Sequence, residues 1–117
     1  MSTQYWNLGG GDLVQNWSDG GLITGDDDWS RVPSIMGFRG DDLTARTGTD
    51  PRTISAGSDV VDVIANQTST NITNGGVAEF AIANPVVALQ GSGTADAPYL
   101  AFYLDATGRS DVRFTAT

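Results

Sequence analysis

Cysteine and histidine, two residue types on which much protein chemistry depends, do not occur in this sequence of 117 residues. Without cysteine the chain forms no disulfide and offers no thiolate ligand for zinc. Without histidine it lacks the commonest general base and the commonest transition-metal ligand. Serine–histidine, cysteine–histidine and zinc-hydrolase mechanisms each lose a required component, so we expect a protein that is not an enzyme.

Lysine is absent as well, and six arginines stand against fourteen acidic residues, which gives a net charge of −8. Such a chain repels phosphates, so we expect no nucleic acid as a direct partner. All the acids except Glu79 are aspartates. Aspartate favours turns over helices and is also the short oxygen ligand of calcium loops. The simpler alternative is an acidic surface that keeps the protein soluble.

Long hydrophobic runs are also missing. No apolar run approaches about 18 residues, so the sequence predicts no transmembrane span. Residues 1–8 carry no basic or long apolar stretch and do not resemble a signal peptide. Hydrophobic residues nevertheless make up 39% of the chain. That content and length predict a single module over residues 1–117 with a genuine core.

Turn-rich spacing separates several short runs of β-branched and aromatic residues, and no segment has a helical period. Strands are predicted at residues 3–8, 32–39, 58–65, 77–82, 86–90, 99–104 and 111–115. The last two are expected to form a hairpin. This pattern predicts an all-β protein, specifically an antiparallel β-sandwich of jelly-roll type or the larger part of one. The final strand would then expose an edge or pair with a neighbouring chain.

Two Gly-Asp-Asp units crowd carboxylates together, and like charges at this density favour a neutralising cation. Calcium takes about 6–8 oxygen ligands, including main-chain carbonyls. The candidate ligands are Asp26, Asp27, Asp28, Asp41 and Asp42. The spacing matches neither the EF-hand nor the Gly-rich nonapeptide repeat. The alternative is a solvated turn whose aspartates cap main-chain amides, with Arg31 or Arg39 nearby.

Trp17 and Trp29 flank this acidic loop. Exposed tryptophan beside aspartate is typical of sugar-binding sites, because the ring stacks on the sugar face and the acids bind hydroxyls. The alternative places these rings in the core. Glu79 is expected to point to solvent from a half-buried strand, and no carboxylate pair suggests glycosidase chemistry.

Two stretches resemble a module of large secreted bacterial proteins. They are QNWSD, GLIT, DDWS, VPSI and GFRGD within residues 15–41, and VALQGSGTADAPYL at residues 87–100. In its relatives this β-sandwich module lies beside endonuclease/exonuclease/phosphatase-type domains, calcium-binding repeats or surface-anchoring segments, and it continues further along the chain. The resemblance implies an enzymatic neighbour, not an enzymatic module.

The sequence therefore predicts a non-catalytic accessory or adhesion module, secreted or on the cell surface, possessing a calcium-stabilised loop. Its expected partners are other domains of the same polypeptide. Two alternatives stay open: a carbohydrate-binding module that uses Trp17 and Trp29, and a structural subunit that self-associates through an open strand edge.

Overall fold

Short strands account for most of the regular structure, as β-branched and aromatic runs without a helical period predict. The computed structural model describes residues 4–40 and 60–117. Within these ranges no helix is long and apolar enough to cross a membrane. The elements in chain order are β1 (Trp6–Asn7), a 3-10 turn (Leu8–Gly10), β2 (Ile35–Phe38), β3 (Ile64–Gln67), β4 (Gly76–Phe80), β5 (Val86–Gln90), β6 (Tyr99–Phe102) and β7 (Leu104–Asp105).

The strands of the described residues form three small sheets. In the largest, β4 lies between β3 and β5, parallel to β3 and antiparallel to β5. β2 pairs antiparallel with β6, and β1 pairs parallel with β7. Residues 60–62 run along the other side of β2, where Asp62 N donates to Gly37 O at 3.0 Å. β2 is therefore held between β6 and the segment that leads into β3.

Trp29, directly after the aspartate run at 26–28, lies at the heart of the core. Trp29 is 1% exposed, and its Nε1 donates to the Asp62 carbonyl at 3.0 Å. The Trp29 ring occupies the space that a Cβ on Gly37 would need, which explains why β2 carries glycine there. The buried cluster comprises Ile23, Trp29, Val32, Ile35, Met36, Phe38, Val63 and Val77.

The all-β prediction is confirmed, and the strand predicted at residues 86–90 coincides with β5. The predicted strand at 32–39 shortens to β2, and that at 58–65 gives way to β3, which begins six residues later. Two of the four strand pairings are parallel, so the expected antiparallel layout describes only the other two. The sandwich and its jelly-roll connections stay predictions.

The expected C-terminal hairpin is wrong, because residues 111–115 form no strand. Asp105 instead starts a turn, in which its Oδ1 accepts from Thr107 N at 3.0 Å and Gly108 adopts a φ of 74°. The side chain of Arg109 then donates to Gly9 O at 2.9 Å. Residues 111–115 therefore form no ladder with β6, although the Phe114 ring still packs against Phe102. The unfinished strand edge expected at residues 111–115 is therefore not formed.

Candidate functional site

The acidic loop, meaning Asp26, Asp27 and Asp28, lies against the main chain of the segment that enters β3. Asp27 pairs with Val63 in both directions: its N–H donates to Val63 O at 2.9 Å, and its Oδ1 accepts from Val63 N at 3.2 Å. Asp26 Oδ1 accepts from Ala65 N at 2.9 Å. Asp27 has a φ of 60°, a left-handed conformation that aspartate tolerates better than most residues. The two carboxylates therefore cap the outer edge of the sheet.

Two further acids bind main-chain N–H groups in the same region. Glu79 on β4 accepts from Asn66 N at 2.6 Å through Oε2. Asp62 accepts from Val77 N at 2.6 Å through Oδ2. The Asp62 carboxylate occupies the space that a Cβ on Gly76 would need, so the glycine permits this approach. We call Asp26, Asp27, Asp62 and Glu79 the carboxylate bracket.

The carboxylate bracket coincides with an irregularity in β3. The pairing of β3 with β4 shifts register between Ile64 and Gln67, and Asn66 within that interval has a φ of 56°. A bulge of this kind leaves main-chain groups outside the regular ladder. Asp26 binds the N–H of Ala65, and Glu79 binds that of Asn66, so both donors of the bulge are satisfied. Acidic side chains therefore supply the hydrogen-bond acceptors that a regular neighbouring strand would otherwise provide.

Glu79 does not point to solvent as expected. It is 4% exposed, because β4 is central in its sheet and all five of its residues are buried. The sequence analysis did not identify Asp62 and Glu79 as amide-capping residues. No local signal could have done so, because Asp62 and Val77 lie 15 residues apart and Asn66 and Glu79 lie 13 residues apart.

Asp28 behaves differently from its two neighbours. Its Oδ1 accepts from Ser30 N at 3.0 Å within its own turn. Hydrogen bonds from the Ser30 side chain and then its backbone lower the Asp28 pKa from 3.8, with a smaller contribution from the charge of Arg31. The carboxylate is fully exposed, so this is a local feature of the turn.

The candidate calcium ligands do not converge in the part of the chain that the structure describes. Asp26, Asp27 and Asp28 each direct one oxygen to a main-chain N–H in a different place. Across residues 4–40 and 60–117, no group of three or more acidic side chains could share a metal ion. Asp41 and Asp42 lie outside the described residues. The described aspartates fit an amide-capping role better than a shared cation.

The two tryptophans are also arranged differently from a sugar-stacking pair. Trp29 lies in the core with its Nε1 bonded, so the expectation of an exposed ring is corrected for this residue. Trp17 is half-buried and packs edge-on against Trp29, with ring centroids 6.2 Å apart and an interplanar angle of 80°. The Trp17 ring therefore extends the core towards the surface, and this packing gives the residue a structural role without a ligand.

A different aromatic surface lines a cleft that the sequence did not indicate. The cleft has a volume of about 640 Å³ and is lined by residues 4–7, 10 and 29–36. We call it the aromatic cleft, after Tyr5 and Trp6 in its wall. Among the described residues, Arg31 is the single charged side chain that lines it. Residues 4–10 and 29–36 are well separated in the chain, so no local sequence pattern reveals the cleft.

Comparisons with protein-family models, with curated proteins and with solved structures gave no match.

Proposed function

We propose that this chain is a non-catalytic accessory module of an extracellular bacterial protein, which holds a rigid β-scaffold and offers surfaces to neighbouring domains. The carboxylate bracket is the observation that carries the proposal. Acidic side chains that could serve as general acids or metal ligands are instead bonded to main-chain amides, where they support the sheet. Their arrangement supports a structural role for these carboxylates and not a catalytic one.

Exposed apolar side chains support a role in contacts with other polypeptide segments. Phe102 is 38% exposed and Phe114 is 68% exposed, and their rings pack edge-on with centroids 5.1 Å apart. Val112, two residues before Phe114, is 51% exposed. Apolar groups gathered on a surface are typical of interaction sites. A neighbouring domain of the same polypeptide is the partner that we propose.

The absence of catalysis is tested on the purified chain with chromogenic glycosides, esters and phosphoesters and with double-stranded DNA, each in millimolar calcium. We expect rates equal to those of the buffer. Turnover that copurifies with the chain and falls in the Asp62→Asn or Glu79→Gln variant would overturn the proposal.

Calcium stabilisation stays a prediction, since two of its five candidate ligands lie outside the described residues. Thermal melts in EDTA and in millimolar calcium test it. A ligand at a hundred times its dissociation constant stabilises by about 2.7 kcal/mol. For a domain of this size that raises the melting temperature by roughly 10 °C. Equal melting temperatures in the two buffers would leave the acidic loop as an amide-capping turn alone.

Self-association through a strand edge is a second candidate function, and β5 is the observation that favours it. Within the described residues its only ladder partner is β4. Val86 and Leu89 on this strand are 38% and 46% exposed. An open edge with apolar side chains is a template for strand pairing between chains. Among the described residues, the strand edge that this candidate would use is that of β5, whereas the sequence analysis expected it at residues 111–115.

Sedimentation velocity over a range of protein concentrations tests this candidate. A dimer that dissociates in the Leu89→Lys variant would support pairing through β5, because a charged side chain on an edge disfavours it. The matched control is Val14→Lys, since Val14 is 79% exposed and lies outside every strand. A strictly monomeric wild-type chain would rule the candidate out.

A further inference from the structure

We infer that the aromatic cleft binds an acidic saccharide, meaning a sugar chain that carries carboxylates. This inference rests on the proposed function as a non-catalytic module and adds a ligand class to it. The cleft volume of about 640 Å³ lies within the usual range of ligand sites, which is about 300–1,000 Å³. Its lining combines the aromatic rings of Tyr5 and Trp6 with the guanidinium of Arg31.

The aromatic rings of the cleft are held in place by contacts with Tyr103 and Gly11. Tyr5 is 66% exposed, and its ring packs edge-on against Tyr103 with centroids 5.8 Å apart. Trp6 donates its Nε1 to Gly11 O at 2.9 Å, and its N–H to Tyr103 O at 2.9 Å. The polar atoms of Trp6 are therefore engaged within the protein. An exposed ring such as that of Tyr5 stacks on the apolar face of a sugar at little cost in conformational entropy, and the half-buried Trp6 adds a second ring beside it in the sequence.

The cation is Arg31, which also lines the cleft. Its one hydrogen bond among the described residues is a long contact of 3.4 Å from Nη1 to Gly21 O. Arginine has five N–H donors in a planar fork that suits a carboxylate. The nearby exposed Asp28 attracts it but makes no hydrogen bond to it within the described structure. Arg31 is exposed, and within the described part of the chain most of its N–H donors are available to a ligand carboxylate.

The charge of the lining selects among ligand classes. The whole chain carries −8, yet among the described residues no aspartate or glutamate lines the cleft. The remaining polar side chains there are neutral amides and hydroxyls, those of Gln4, Asn7 and Ser30 among them. Neutral donors and acceptors suit sugar hydroxyls, and one guanidinium suits one carboxylate. A nucleic acid would need several cations along its phosphates, which the cleft does not offer.

Isothermal titration calorimetry in EDTA tests the inference, with oligogalacturonate as the probe and the same oligomer as its methyl ester for comparison. EDTA removes calcium that could bridge two acids. We expect the acid to bind wild-type protein more tightly than the ester. Arg31→Gln should weaken binding of the acid at least tenfold, because a charge-assisted hydrogen bond to the carboxylate is lost; tenfold corresponds to about 1.4 kcal/mol. Its affinity for the ester should not change.

Two variants complete the design. Arg113→Gln removes an equal charge from an exposed position outside the cleft, and we expect binding of both oligomers to be unchanged. Tyr5→Ala removes a stacking ring and should weaken binding of the acid and the ester alike. Equal losses in Arg31→Gln and Arg113→Gln, equal affinity for acid and ester, or no binding of either would overturn the inference. The proposed function fails separately, through catalytic turnover.

Discussion

The two edges of the three-stranded sheet are treated in opposite ways. At the β3 edge, Asp26 and Asp27 occupy main-chain donors of Ala65 and Val63, and the acidic loop covers the strand. At the β5 edge, the described residues provide no second ladder partner, and Leu89 is 46% exposed. The β3 edge is thus capped by carboxylates, whereas β5 has no second strand partner among the described residues.

The difference shows how aspartates substitute for a strand. A carboxylate accepts hydrogen bonds as a carbonyl does, and its charge discourages a foreign strand from pairing there. The closed edge includes the bulge of β3, where regular pairing with another strand would be impossible. The open edge is regular, and its five residues pair in unbroken register with β4. Charge is thus used where the ladder is irregular.

The largest expected effect comes from Glu79→Ala. This change leaves the N–H of Asn66 without its 2.6 Å acceptor and removes the packed side-chain volume of the buried Glu79. We expect the free energy of unfolding to fall by about 2–3 kcal/mol, measured by urea denaturation. Glu79→Gln keeps an acceptor oxygen and should cost less than half as much. An unchanged stability in Glu79→Ala would contradict the role of the bracket.

Asp26→Ala and Asp27→Ala should each lower the free energy of unfolding by about 1 kcal/mol, the usual net value of one hydrogen bond. Both side chains are exposed, so the loss reflects their bonds to the β3 segment and not buried volume. Asp12→Ala is the matched control, because Asp12 is also exposed and we expect a change within about 0.5 kcal/mol. Losses equal to that of the control would mean that the loop does not hold the edge.

The opposite edge should tolerate change. For Leu89→Lys we expect a shift within about 0.5 kcal/mol in the free energy of unfolding, because the side chain is half exposed and caps nothing. The same urea denaturation measures it, at a protein concentration at which the wild type is monomeric. If Leu89→Lys lowered the free energy of unfolding as much as Asp27→Ala, the proposed difference between the β3 and β5 edges would be contradicted.

The smallest effect is a pH dependence within the acidic loop. The Asp28 pKa is lowered in the folded chain, chiefly by the Ser30 hydrogen bonds, so the unfolded chain binds this proton more tightly. Its contribution to stability is present above about pH 4 and is lost as the pH falls through the lower folded pKa. Asp28→Asn should therefore be less stable than the wild type at neutral pH, with the difference vanishing in strong acid. A difference that persists in strong acid would contradict this origin.

Local pattern predicted the all-β class and located β5, because a β-branched run between turn residues needs no knowledge of its neighbours. It also included amide capping as one of two interpretations of the aspartates. It could not name the amides, since Asp27 and Val63 lie 36 residues apart in the chain. The same limit hid the aromatic cleft, and the alternating pattern at residues 111–115 misled because Arg109 binds Gly9, 100 residues away.

The most direct test of the carboxylate bracket is amide hydrogen exchange at Val63 and Ala65 in EDTA, compared between the wild type and the Asp26→Ala/Asp27→Ala double variant. Amides of β4 serve as the internal reference for global unfolding. We predict that both amides are protected in the wild type without calcium. In the variant they should exchange about tenfold faster relative to β4, which corresponds to about 1.4 kcal/mol. Equal exchange in the two proteins, or protection that arises only when calcium is added, would contradict the account.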